Sequence, residues 1–155
     1  MKQHIKRLIY GLLVIQLAMM VGCKQTNDKK SEISSKNQIE NNSSEASNLL
    51  LANCYVCHNP NTDSHDEIIA PPLAGIKMRY MNETTDKEEF INLMSNFVFN
   101  PNEESALMAG PVMRFGIMPK TKLGEDDIRK IVTYIYENDL DEPSWFKEHK
   151  ERKHR

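Results

Sequence analysis

Five consecutive residues, Cys54-Tyr55-Val56-Cys57-His58, carry the most chemically specific spacing in the chain. Two cysteines three apart, followed at once by histidine, form the pattern of covalent c-type haem attachment. On one helical turn, positions i and i+3 share a face, so Cys54 and Cys57 can both present sulfur to the two vinyl groups of one haem. His58 then falls beneath the ring. There a neutral imidazole can coordinate iron as the proximal ligand, while two thioethers keep the ring from dissociating. Two other chemistries share part of the pattern. Zinc needs about two further Cys or His ligands at suitable spacing, and outside the motif and the N-terminal region only His65, His149 and His154 remain. A redox-active dithiol is expected near a βαβ pattern, whereas the flanks here read as helical. One covalently bound haem c is the cofactor expected.

Covalent haem attachment in bacteria takes place outside the cytoplasmic membrane, and the N-terminus fits an exported chain. Lys2, Lys6 and Arg7 precede an apolar run from Leu8 to Val21, interrupted only by Gln16 and closed by Gly22-Cys23. That is a signal-peptide layout, and the run is shorter than the roughly 20 residues of a spanning helix. Met20-Val21-Gly22-Cys23 resembles a bacterial lipoprotein cleavage box, although methionine stands where leucine is usual. The resemblance implies that Cys23 is acylated and becomes the mature N-terminus. The chain has three cysteines. Two thioethers and one lipidated cysteine account for all of them, where a disulfide would leave one over. Lys24 after Cys23 is not the aspartate that retains some lipoproteins in an inner membrane.

The chain is long enough for one folded domain. The organisation expected is a lipoprotein signal peptide at 1–22, a lipid-anchored disordered tether at 23–44, a haem domain at 45–142 and a basic C-terminal tail at 143–155. The tether is polar and lacks an apolar period; as a flexible coil, about 20 residues reach roughly 25 Å. The first helix is expected to start near Ser43 or Ser44 and to run into the haem motif, with Ala46, Leu49, Leu50 and Asn53 at helical spacing. Residues 59–82 contain proline, glycine and polar residues without a sustained period, and read as a long loop around the haem. A second helix is expected from about Thr85 to Phe99, with Thr85 and Glu88 as a capping box and Asp86 adding charge in the first turn. Phe90, Leu93, Met94, Phe97 and Val98 form its apolar face, and Asn100-Pro101 ends it. A last helix is expected from about Gly124 to Asn138, where Ile128, Ile131, Val132 and Ile135 recur at i, i+3, i+4 and i+7.

Within the loop stands Ala70-Pro71-Pro72-Leu73-Ala74-Gly75, and Gly116-Ile117-Met118-Pro119 lies in a Met-, Gly- and Pro-rich stretch downstream. Together with Cys-x-x-Cys-His, the Pro-x-Leu-x-Gly and Gly-x-Met-Pro patterns resemble the class I, mitochondrial-type cytochrome c family. The resemblance covers roughly Ser44 to Leu140. It implies an all-α cytochrome c fold, with three main helices and long loops wrapped around one covalently bound haem. It implies that the Pro71 carbonyl accepts a hydrogen bond from His58 Nδ1, fixing the tautomer and ring orientation. It also implies that Met118 is the distal iron ligand, with Met113 and Met108 as nearby competitors. By the same resemblance, Tyr134 packs over Ala46 where the last helix crosses the first, with Leu50 one turn further on. The family usually has glycine at the position of Ala46.

The function implied is one-electron transfer by a membrane-tethered c-type cytochrome, shuttling electrons between a protein donor and acceptor of a respiratory chain. The site is an electron carrier's and not an enzyme's. No serine, histidine and carboxylate arrangement points to hydrolysis, no glycine-rich phosphate loop is present, and neither nucleic acid nor a small-molecule substrate is expected as partner. The location implied is the outer face of a bacterial membrane, in the periplasm. Two alternatives stay open at this point: a haem-based binder or sensor of a small ligand that displaces Met118, and an electron-entry subunit of a larger oxidase or reductase. Charge separates the chain from the lysine-rimmed mitochondrial pattern. Only Lys2, Lys6 and Arg7 are charged within 1–22, so 17 basic and 22 acidic side chains remain beyond it, a balance of −5. Electrostatic steering of partners must then differ. The tail at 147–155 is the locally basic exception. It reads either as a solvated end pinned by Trp145 and Phe146 or as a patch for anionic lipid or an acidic partner.

Overall fold

The structure, a computed structural model, describes residues 27–153, with side chains described from 40 to 151. The expected signal peptide and the lipidation site Cys23 lie outside the described residues. The chain divides into two compact units, Met1–Ile39 and Glu40–Arg155. Among the described residues there are six helices and no strand: α1 (Asn27–Asn53), α2 (Leu73–Glu83), α3 (Lys87–Phe99), α4 (Ala109–Phe115), α5 (Glu125–Glu137) and α6 (Phe146–Lys153). None of them is long and apolar enough to cross a membrane.

Helix α1 begins earlier than the expected start at Ser43 or Ser44, and the stretch read as a disordered tether is helical from Asn27 onward. Absence of an apolar period limits what a segment can bury, not whether its backbone can continue a helix. No proline or glycine occurs between residues 24 and 53. Once a turn is fixed at the buried Ala46 and Leu50, each further residue costs little to add. Glu40, Asn41 and Asn42 are exposed, as the polar composition requires.

The core of the second unit lies where α3 meets α5. All four members of the isoleucine–valine stripe, Ile128, Ile131, Val132 and Ile135, are buried there. They meet Phe90, Ile91 and Met94 of α3, together with Leu50, Leu73 and Tyr80 from the preceding helices. Phe90 is fully buried, and its ring takes edge-on contacts from Tyr80 at 5.8 Å and Tyr136 at 5.1 Å, a geometry that suits the aromatic quadrupole. Burial of such side chains, at roughly 1.5–3 kcal/mol each, outweighs the exposed ion pairs at the rim. Among those pairs, Lys130 reaches Glu45 at 2.9 Å and ties α5 to the turn of α1 that carries Ala46.

Two further expectations need correction. Residues 59–82 are not one loop: α2 starts at Leu73, with Pro72 as its N-cap. Leu73 and Tyr80 are buried and Ile76 is half-buried, an i, i+3, i+7 stripe that the exposed Met78 and Met81 obscure. The cap of α3 is Asp86 and not Thr85. The Asp86 carboxylate accepts from Glu89 N at 2.8 Å, while Thr84 Oγ1 accepts from Asp86 N at 3.1 Å and donates to the Glu89 carboxylate at 2.5 Å. The cap is one residue later than expected and is not a direct box: Thr84 Oγ1 stands between the Asp86 N–H and the Glu89 carboxylate. Residues 146–153 form α6, which is packed through Phe146 at 7 % exposure, in line with an end pinned by that residue.

Candidate haem site

Helix α1 delivers the cysteine motif and then tightens. Cys54 N and Tyr55 N both donate to Leu50 O, at 2.9 and 3.2 Å, and Cys57 N and His58 N both donate to Cys54 O, at 3.1 and 2.9 Å. The motif therefore forms one further turn, which brings Cys54 and Cys57 round to a common side. Cys54 is half-buried and Cys57 exposed, and neither forms a disulfide. Burial, with a smaller contribution from the neighbouring Cys57, pushes the Cys54 thiol up to about 11. It is thus held as the neutral thiol until it reacts.

His58 Nδ1 lies 2.7 Å from the carbonyl oxygen of Pro71. A proline carbonyl can only accept, so the proton sits on Nδ1 and the lone pair is left on Nε2. Burial pushes the His58 imidazole below its usual range, opposed in part by the Pro71 hydrogen bond. Burial favours the neutral ring a metal requires, and the Pro71 hydrogen bond decides which nitrogen is left free. Pro72 locks the backbone beside this acceptor and starts α2, so the Pro71 carbonyl is held from one side by a helix.

Downstream, α4 ends at Gly116, whose φ of 77° lies in the left-handed region that favours glycine. This reversal sets the path of Ile117, Met118 and Pro119. Met118 is half-buried, whereas Met113 is 89 % exposed. Of these two methionines, only the first is partly withdrawn from water, and the exposed Met113 has little to hold it in one place. Two cysteines on one turn, a neutral oriented imidazole and a half-buried thioether make a donor set that fits a c-type haem.

Sequence reasoning missed a cluster beside this site. Arg114, at the end of α4, donates from Nη2 to His65 O at 2.9 Å, and its Nη1 lies 2.8 Å from the His65 ring nitrogens. Trp145 Nε1 donates to Thr62 O at 3.1 Å. Neither contact joins residues near in sequence, and no local motif announces them.

The donor set and the all-helical frame define a haem c protein. The family model described as Cytochrome c matches residues 43–139, and the chain belongs to that family. It is a haem-based electron carrier in class, with haem c bound covalently. No match is found among curated proteins or among solved structures.

Proposed function

We propose that this chain is an exported, lipid-anchored one-electron carrier in which Cys54 and Cys57 hold one haem c and His58 and Met118 fill its two axial positions. The observation that carries the reading is the 2.7 Å contact between His58 Nδ1 and the Pro71 carbonyl. An imidazole committed at Nδ1 to a backbone acceptor has Nε2 left for iron, in a fixed orientation. When bound, the haem supplies an iron that alternates between Fe(III) and Fe(II). The chain supplies the rest. Cys54 and Cys57 prevent dissociation, His58 is held neutral, and the soft Met118 thioether favours the reduced state and so raises the potential. With both axial positions taken by side chains, no exogenous molecule needs to coordinate the metal, which favours a carrier over a small-ligand sensor.

The layout of residues 1–23 supports attachment of Cys23 to lipid at the outer face of a bacterial membrane, and the acidic balance beyond residue 22 supports protein partners unlike those that meet a lysine rim. Absorption spectra of the oxidised and reduced full-length protein test the site. The expected result is haem that stays with the chain after acid–acetone extraction, with a methionine-to-iron charge-transfer band in the oxidised form. A five-coordinate, high-spin spectrum would overturn the reading and favour the ligand binder.

A further inference from the structure

Helix α4 carries the approach to Met118, yet none of its seven residues is buried. Before the helix, Arg79 Nε donates to Leu107 O at 3.1 Å, and within it the polar hold is Arg114. The guanidinium grips the backbone of the 59–70 loop at His65 O and abuts the His65 ring. It also stacks 4.9 Å from the Phe115 ring and has Asp66 at 3.9 Å. The loop so gripped runs between His58 and Pro71, the two residues that orient the proximal imidazole.

From the other side, the same loop is held by the end of the chain. Trp145 Nε1 bonds the Thr62 carbonyl, and its ring meets His65 edge-on at 5.3 Å. His149 stacks on His65 at 5.0 Å with an interplanar angle of 13°. Phe146 closes the cluster against Gly75, where an added Cβ would come within 2.9 Å of its ring. His65 is thus sandwiched between α4 and the segment that leads into α6.

We propose that Arg114 is a positioning residue for Met118. Through His65 it fastens the distal segment to the proximal loop, and Trp145 and His149 back that loop, so that the clasp sets how firmly Met118 stays on iron. The proposal rests on the reading of Met118 as distal ligand. A guanidinium suits the role because its several donors engage a carbonyl and a ring at once in a rigid plane, which an ammonium cannot do.

The test uses the haem-loaded, full-length protein and imidazole as the probe that displaces methionine, followed by loss of the methionine charge-transfer band. Arg114→Gln is expected to bind imidazole about tenfold more tightly than the parent, the scale of one charge-assisted hydrogen bond. Arg114→Lys recovers part of the difference, and Trp145→Phe, which removes the indole donor and part of the ring against His65, moves in the same direction as Arg114→Gln. Imidazole affinities for Arg114→Gln and Trp145→Phe equal to the parent's, in protein that shows the charge-transfer band, overturn the clasp. An equal increase in Met113→Ala also overturns it, since the effect would then belong to α4 in general. Absence of the band in the parent protein overturns the Met118 reading itself.

Discussion

The Pro71 carbonyl oxygen stands 2.7 Å from His58 Nδ1, across thirteen positions of sequence. The contact joins the end of α1 to the start of α2 and decides the tautomer of the proposed ligand. It predicts an imidazole N–H that exchanges slowly with solvent. In the reduced, haem-loaded protein, a proton resonance assigned to His58 Nδ1–H should persist after transfer to heavy water. Exchange at the rate of a free imidazole would show that the carbonyl does not hold the ring.

Met118 and Met113 differ in exposure, and their substitutions should differ accordingly. Met118→Ala is expected to abolish the methionine charge-transfer band and to lower the reduction potential by at least about 0.1 V, a modest share of the roughly 0.8 V that axial ligands command. Met113→Ala should leave both unchanged. The opposite pattern would assign the distal position to Met113.

Strict periodicity made some of this fold legible. Ile128, Ile131, Val132 and Ile135 show one uninterrupted stripe, and α5 begins and ends within a residue of the expected limits. Short motifs made the turn of Cys54–His58 and the His58–Pro71 contact legible, because Cys-x-x-Cys-His and Pro-x-Leu-x-Gly each impose a local geometry. Helix α2 was hidden because Met78 and Met81 sit on its exposed side and blur the stripe of Leu73, Ile76 and Tyr80. The early start of α1 was hidden because helix propagation needs only the absence of breakers, and that leaves no pattern. The clasp was illegible for another reason. Arg114 and His65 are 49 positions apart, and Trp145 and Thr62 are 83 apart, with nothing local to mark either pair.

Tyr80 gives a pH dependence. Burial pushes its hydroxyl up from 10.0 to about 12. A group whose folded value is raised contributes stability in full below its unfolded value and loses it as pH climbs toward the folded one. Unfolding free energy of the parent should therefore fall between pH 10 and about 12 by an amount that Tyr80→Phe does not lose. Denaturant titrations of both proteins, followed by circular dichroism, should show a constant difference below pH 10 and a widening one above it. A difference that stays flat through this range would mean the hydroxyl is not desolvated.

Ser95 on α3 is 3 % exposed. Its Oγ is the one buried side-chain polar atom without a hydrogen-bond partner among the described residues. An unpaired hydroxyl costs about 1–3 kcal/mol to bury, and alanine is the better helix former by a few tenths. Ser95→Ala should thus stabilise the haem-loaded protein by about 1 kcal/mol in thermal or denaturant unfolding. Destabilisation instead would mean that water or the haem itself satisfies the hydroxyl.

Gly75 and Phe146 offer a prediction in which two opposing effects can be separated. The glycine is the last residue of Pro-x-Leu-x-Gly and sits in the first turn of α2. A Cβ there would meet Phe146 Cζ at 2.9 Å and Cε2 at 3.3 Å, closer than carbon atoms approach without displacement. In the parent background, overpacking of about 1–3 kcal/mol outweighs the gain of alanine over glycine within a helix, so Gly75→Ala destabilises. Phe146→Ala removes the obstructing ring. In that background Gly75→Ala should become neutral or stabilising by about 0.5 kcal/mol, because only the backbone effect remains. The coupling free energy of the double-mutant cycle is expected to be at least about 1 kcal/mol. Additive effects would mean that the ring turns aside without cost, and that Phe146 is not packed tightly against the first turn of α2.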